Sequence, residues 1–137
     1  MFDTLDISAS GLQAQRLRMD TISANIANLN TTRNAQGQPI PYRRRFAVFS
    51  PNMASRGEGA GKAGVHVSKI EQDMSPFNRK YDPGNPDAGQ DGYVLTPNID
   101  LSIEFVNALE ASRAYEANVT TMEVTKSMMN ASLRLIA

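Results

Sequence analysis

Both ends of the chain carry apolar residues at heptad spacing, and this spacing limits the fold to one built from packed helices. In the N-terminal segment, the apolar residues that recur at every seventh position are Leu5, Leu12, Met19 and Ile26. From about residue 99 to the C-terminal end, the apolar positions alternate three and four residues apart. Residues 1–33 and 98–137 are therefore predicted to form two long helices.

The middle segment, residues 34–97, has a different composition. It holds all of the prolines and most of the glycines, which interrupt helices and favour turns between short strands. Residues 42–49 and 65–70 are predicted to form a hairpin, and residues 81–92 an ordered surface loop or an extended arm. The expected fold class is α+β, mainly α: long N- and C-terminal helices packed as a coiled-coil-like hairpin with a small β-rich, loop-rich middle module.

Each predicted helix carries apolar residues on two opposite faces. The main seam, predicted to pack helices and subunits, consists of Leu5, Leu12, Met19, Ile22, Ile26, Leu29, Phe105, Tyr115, Val119, Met122, Met129, Leu133 and Ile136. The second face consists of Ile7, Ala14, Leu17, Ala24, Ala114, Ala117, Val124, Met128 and Leu135. If the helices pair through the main seam, the small middle module cannot bury the second face. The chain is therefore expected to assemble, either as a four-helix dimer or as a filament, and the periodicity does not separate these.

The composition excludes several classes of function. Lysine and arginine together number 14, as do aspartate and glutamate, so the charge balance gives no attraction to nucleic acid or to an anionic membrane. The chain contains no cysteine and a single histidine, His66, which excludes thiolate chemistry and multi-histidine metal sites. Its acidic start lacks the features of a cleavable signal peptide, and no apolar run approaches the roughly 20 residues of a membrane span.

Several motifs resemble ligand-binding sites, but the residues around them do not match what such sites require. Residues 59–64 match a dinucleotide-binding glycine pattern, but a strand-like segment follows where a helix is required. A calcium loop beginning at Asp87 would have Gly89 at a ligand position and Asn98 where a bidentate glutamate is required. The arginines at residues 43–45 are interpreted as a solvated or subunit-facing strand edge. No catalytic residue, cofactor, metal site, nucleic-acid partner or lipid anchor is predicted.

Short motifs at the two ends of the chain occur together in one known family. Residues 10–20 (SGLQAQRLRMD), 21–32 (TISANIANLNTT) and 111–119 (ASRAYEANV) resemble the N-terminal and C-terminal signatures of the flagellar rod and hook proteins. Within that family, the short middle segment and the motifs PYRRR, YDPGNPDA and DGYVLTPN are most similar to a proximal-rod member. The resemblance covers nearly the whole chain apart from the glycine-rich stretch.

This resemblance implies a structural subunit of the bacterial flagellar basal-body rod and not an enzyme. It implies uncleaved export by the flagellar type III export apparatus, assembly in the periplasm with copies of itself and other rod proteins, and transmission of torque. It also implies polar contacts within or between subunits at the motif positions Asn25, Asn28, Asn30, Arg113, Tyr115 and Asn118. The local alternative is that Asn28 and Asn30 end a helix and that Arg113 is a solvated charge. The alternative functions are a coiled-coil adaptor or dimerisation module of another assembly, and a small enzyme that uses His66.

Overall fold

The protein has a helix at each end and two small β-hairpins between them. The structure is a computed structural model, and it describes residues 2–52 and 64–136 apart from three side chains, those of Phe2, Leu135 and Ile136. The elements in chain order are α1 (Phe2–Ala27), β1 (Arg45–Asn52), β2 (Gly64–Gln72), β3 (Asn78–Tyr81), β4 (Tyr93–Thr96) and α2 (Leu101–Ile136). This order confirms the predicted mainly α, α+β fold. The glycine pattern that begins at residue 59 falls outside the described residues, except for its last residue.

Helices α1 and α2 lie against each other and run antiparallel. Near the start of α1, a Cβ atom added to Gly11 would lie 2.9 Å from the side-chain nitrogen of Asn118. Near its end, the Asn25 amide donates to the Glu104 carboxylate over 3.0 Å. The same register places the start of α1 opposite about residue 127 of α2. Residues 128–136 of α2 therefore extend beyond the first described residue of α1.

The residues that are buried on the two helices are mostly small or polar. They are Ser8, Gly11, Ala14, Thr21, Ile22 and Asn25 of α1 and Glu104, Ala111 and Thr125 of α2. Of the predicted seam, only Ile22 is buried among the described side chains, whereas Phe105 and Leu133 are 54% and 62% exposed. The other described seam residues are half-buried. The helices thus do not meet along the centre of the apolar heptads, because small residues such as Gly11 and Ala111 permit a closer approach.

Ala14 corrects one position of the predicted second face. It is 3% exposed and faces the interior, because it lies on the same side of α1 as Gly11 and Asn25. The remaining described members of that face are exposed, except for the half-buried Ala114. The side chain of Leu135 lies outside the described residues.

Substituting Gly11 with Leu should destabilise the helix pair. The new side chain would meet the Asn118 amide, which is held in place by a 3.0 Å hydrogen bond to the Ala114 carbonyl oxygen. Forcing extra atoms into a packed interface costs about 1–3 kcal/mol, measurable as the free energy of unfolding in urea. Gly84→Leu is the control, because a Cβ there approaches nothing closer than a carboxylate oxygen of Asp82 at 3.9 Å. Equal losses in both variants would contradict this close approach.

Side-chain hydrogen bonds define the C-terminal end of α1 and the N-terminal end of α2, the two helix ends that adjoin the strands. Helix α1 ends at Ala27 rather than near residue 33, because the Asn28 side chain donates to the Ala24 carbonyl oxygen (2.8 Å) and a turn follows. Helix α2 begins after Asp100, whose carboxylate accepts from the backbone N–H of Ser102 over 2.8 Å. This is the N-cap arrangement that satisfies the first free N–H groups of a helix.

The middle segment forms two separate antiparallel hairpins. In the first, Arg45 of β1 lies opposite Gln72 of β2, which confirms the predicted strand pair. The start of β2 is fixed to α1, because the Val65 N–H donates to the Ser10 hydroxyl over 3.1 Å. In the second, β3 pairs with β4, so the loop expected at residues 81–92 is ordered by flanking strands that the sequence did not predict.

Candidate functional site

A buried ionic cluster, here called the polar junction, joins α1, α2 and the start of β1 through Asn25, Arg44 and Glu104. One carboxylate oxygen of Glu104 accepts from Nε of Arg44 over 2.7 Å, and the other accepts from the Asn25 amide over 3.0 Å. Glu104 and Asn25 are each 0% exposed. A buried charge is tolerated when an opposite charge and hydrogen bonds compensate its lost hydration, and Glu104 has both.

Asn25 attaches α1 to the first strand in the way that a neighbouring strand would. Its side-chain nitrogen donates to the Arg45 carbonyl oxygen over 2.7 Å, and its side-chain oxygen accepts from the Arg45 N–H over 2.9 Å. The amide therefore satisfies both backbone groups of one residue. This pairing fixes the position of β1 on the helix pair.

The segment before α2 extends the junction to the end of β2. Asn98 accepts from the Arg44 N–H over 3.0 Å and donates to the Asp73 carbonyl oxygen over 3.1 Å. The Ser75 hydroxyl and backbone N–H hold the pKa of the Asp73 carboxyl below its ordinary value, with a smaller contribution from the positive charge of Arg44. One connected network thus sets the first hairpin against both helices.

A second ion pair attaches the loop of the other hairpin to the segment after α1. The Asp87 carboxylate accepts from Nε of Arg33 over 2.7 Å and from the Thr32 hydroxyl over 2.8 Å. These two hydrogen bonds, with the Arg33 bond the larger, lower the pKa of Asp87. Lowering is expected, because both donors stabilise the ionised carboxylate.

Acid should release this loop. Because the pKa of Asp87 is lower in the folded chain than its ordinary value of 3.8, the attachment is complete above that value. It should be lost as the pH falls below 3.8 and through the folded pKa. Loop chemical shifts recorded by NMR during acid titration would show this, and Asp87→Asn should remove the transition, whereas Asp91→Asn should keep it. A titration unchanged in Asp87→Asn would contradict the assignment.

The outer sides of both helices expose many large apolar residues. This outer apolar surface consists of Ile7 and Leu17 of α1 and Leu101, Ile103, Phe105, Val106, Leu109, Val124, Met128 and Leu133 of α2. Their exposed fractions range from 38% to 62%. Large apolar side chains exposed in this number indicate surfaces that bind another protein or a membrane. None of the helices that the structure describes is long and apolar enough to cross a bilayer.

The polar groups of the junction hold the helix pair and the first hairpin together. His66 is exposed on β2, as predicted for a surface histidine. Within residues 2–52 and 64–136, no group of three or more histidine, aspartate or glutamate side chains is arranged to hold a metal ion. The structure thus presents a helix pair that is held together by the polar junction and exposes apolar residues on its outer sides.

Comparison with known proteins agrees with this arrangement. A family model described as "Flagella basal body rod protein" matches residues 5–36, and one described as "Flagellar basal body rod FlgEFG protein C-terminal" matches residues 90–135. The chain is 46% identical to the flagellar basal-body rod protein FlgC of Bacillus subtilis, an alignment that covers 98% of this chain and 97% of the relative. It is 41% identical to FlgC of Borreliella burgdorferi, over 99% and 97% of the two chains. The chain belongs to the FlgC family.

The two segments that the family models match are the ones that the fold brings together in this FlgC-family chain. The first covers most of α1 and the second covers β4 and most of α2. The polar junction includes one residue from each, Asn25 and Glu104. The prediction of a flagellar rod family, made from the terminal motifs, is confirmed.

The motif residues of the FlgC-family chain have different environments. Asn25 lies in the polar junction, and Asn28 ends α1, which is the local alternative considered for it. Asn118 packs against Gly11 of the opposite helix. Asn30 and Arg113 are exposed. A role of these residues in contacts between subunits stays a prediction, as does the subunit-packing role of the main seam and the second face.

Sequence reasoning missed Glu104 and Arg44 as members of the site. Arg44 was interpreted as part of a strand edge, whereas its side chain points to the helix pair and contacts Glu104. One signal was present in the sequence. Glu104 begins a series of polar or small residues at heptad spacing, which continues through Ala111, Asn118 and Thr125 along the buried side of α2.

Proposed function

We propose that this FlgC-family chain is a structural subunit of the flagellar basal-body rod, and that it assembles through its helices instead of catalysing a reaction. The names of its relatives support this, since each is a flagellar basal-body rod protein. The polar junction and the outer apolar surface suit such a role. They combine a fixed internal geometry with surfaces that other subunits can cover.

The observation that carries the proposal is the size of the exposed surface. The accessible surface of the chain is 9666 Å² at a mass of 15.0 kDa. A compact monomer of this mass exposes about 7,000 Å² by the usual scaling. An interface of standard size removes about 800 Å² from each partner, so the surplus suffices for contacts with several neighbours.

Finer features of the role belong to the same proposal. We place the chain in the periplasmic part of the basal body, after export by the flagellar type III apparatus without cleavage of a signal peptide. Its neighbours are copies of itself and other rod proteins. Torque would pass through the closely packed helices, since dense interiors have low compressibility and transmit strain.

A gene deletion in the bacterium that carries this chain tests the proposal. Deletion should abolish swimming, and expression of the full chain from a plasmid should restore it. Purified basal bodies from the restored cells should contain the chain, detected by immunoblot and by electron microscopy with a specific antibody. Swimming cells whose basal bodies lack the chain would refute the structural role.

A coiled-coil adaptor or dimerisation module of another assembly is the competing function. It predicts a discrete dimer in light scattering at every concentration and no association with rod proteins. The rod proposal predicts association that continues with concentration, or association with rod partners. The His66→Ala variant should swim normally, because a structural subunit does not need this exposed side chain.

A further inference from the structure

The second hairpin contains one strand, β3, that lies entirely on the surface. β3 and β4 have four residues each, and they form a sheet of only two strands. Every residue of β3 is exposed, whereas Val94 of β4 is 2% exposed. A two-stranded hairpin is marginally stable in water by itself. A further strand beside β3 would therefore stabilise this part of the chain.

The backbone groups of Arg79 and Tyr81 point away from β4. The Asp82 N–H donates to the Gly92 carbonyl oxygen over 3.0 Å, and these two residues directly follow the last pair in the register of β3 with β4. In an antiparallel pair of strands, hydrogen-bonded and non-hydrogen-bonded residue pairs alternate. Lys80 therefore bonds to β4, while the N–H and carbonyl groups of Arg79 and Tyr81 face outward along the free edge of β3.

The other three strands have hydrogen-bond partners outside their own strand pair. The Asn25 amide bonds to the first residue of β1, and the Ser10 hydroxyl accepts from a backbone N–H of β2. The Gly89 N–H donates to the carbonyl oxygen of Tyr93 on the outer side of β4 over 3.0 Å. In the part of the chain that the structure describes, nothing bonds to the outward backbone groups of β3. A free edge of this kind can pair with another strand.

The free edge of β3 carries two adjacent positive charges, Arg79 and Lys80, whose side chains lie on opposite faces of the strand. Neither forms an ion pair with a carboxylate among the described residues. The Arg79 guanidinium lies over the Tyr93 ring, 5.8 Å from its centroid. Pairing of β3 with its own copy would bring like charges together, which is unfavourable. Two adjacent acidic residues on an extended segment would instead meet one cation on each face.

We propose that the free edge of β3 binds an extended segment of another protein that carries two adjacent acidic residues, and that this segment joins the second hairpin as a third strand. Backbone hydrogen bonds to Arg79 and Tyr81 hold the segment, as in other cases of strand addition. Arg79 and Lys80 select it through its two carboxylates. The contact uses no residue of α1 or α2, so it goes beyond the proposed rod function and does not depend on it.

Selection from a library of random linear peptides on phage, with the full-length chain immobilised, tests the preference for acidic residues. Selected peptides should carry two adjacent acidic residues, and replacing both by glutamine should weaken binding of the synthetic peptide about tenfold. A chain with Arg79→Glu and Lys80→Glu should select adjacent basic residues instead. The charge-matched control, Lys126→Glu with Arg134→Glu on α2, should select the same peptides as the unmodified chain. No enrichment, or acidic peptides selected by the β3 variant, would overturn the proposal.

Amide hydrogen exchange separates a third strand from a contact of side chains alone. In the free chain, the Lys80 N–H should exchange more slowly than those of Arg79 and Tyr81, and the selected peptide should slow exchange at these two. Arg79→Pro, which lacks the outward N–H, should weaken binding more than Arg79→Ala, which keeps it. The contact between the Tyr81 and Tyr93 rings, observed by NMR, reports that the hairpin remains folded in both variants. Binding without slower exchange at Arg79 and Tyr81, or equal losses in the two variants, would overturn the proposal.

Discussion

Glu104→Ala should be the most destabilising single substitution within the chain. It removes the anion from the polar junction and leaves Arg44 and the Asn25 amide without their shared acceptor. Breaking a buried ion pair by deleting one partner costs about 3–5 kcal/mol, and the lower end is expected because the Arg44 side chain is 22% exposed. The measurement is the free energy of unfolding in urea.

Glu110→Ala is the matched control for this prediction. It lies on the same helix and also contacts an arginine, Arg18 at 3.2 Å, but its side chain is 62% exposed. An exposed ion pair of this kind contributes less than about 1 kcal/mol. If Glu104→Ala and Glu110→Ala lost similar stability, burial at the junction would not be the source of its strength.

The contacts of the polar junction also predict which part of the chain should lose local stability when Glu104 is removed. Asn25 holds the N–H and carbonyl groups of Arg45, and Glu104 holds the amide of Asn25. Loss of Glu104 should therefore increase amide exchange at Arg45, at the start of β1, and less so near the middle of α1. Since subunits of an assembly must present their surfaces at a fixed angle, such loosening should also lower swimming speed.

The two long helices and the first hairpin could be predicted from the sequence because their signals are local. Heptad spacing marks a helix whatever it packs against, and β-branched and aromatic runs mark strands. The short strands β3 and β4 were missed, because the turn residues of the loop between them dominate that region. Their pairing depends on Tyr81 lying opposite Tyr93, which the sequence does not specify.

The line of contact between the helices could not be predicted from apolar periodicity. The seam was placed on Leu5, Leu12 and Met19, whereas Gly11 and Asn25 lie at the actual contact with α2. Which side of α2 faces α1 depends on residues that are distant in sequence. Arg44 lies 60 positions from Glu104 in sequence, and only the fold shows that it neutralises a glutamate on the inner side of α2.

The sequence predicted that the helices expose apolar residues, but it identified only some of the residues that are exposed. Leu17, Val124 and Met128 are exposed as expected of a second face. Phe105 and Leu133, which were assigned to the main seam, are exposed as well. The chain therefore leaves more apolar surface uncovered than the two-face interpretation required, and this strengthens the case for assembly.

Val124→Asp should abolish rod assembly while leaving the single chain folded. Val124 is 54% exposed on α2, so a carboxylate there stays hydrated in the free chain. Once a neighbouring subunit covers the position, the charge is buried without a partner, at a cost of about 3 kcal/mol or more. A loss of that size weakens each contact more than about 100-fold, and repeated contacts multiply the effect.

The readouts for this variant are swimming, the presence of the chain in purified basal bodies, and the free energy of unfolding of the isolated protein. Met74→Asp is the control, since Met74 is 75% exposed between β2 and β3 and belongs to neither helix. We expect the control to swim and both variants to unfold at similar urea concentrations. Normal basal bodies from Val124→Asp cells would show that this side of α2 faces water in the rod, and the apolar surface would then need a different partner.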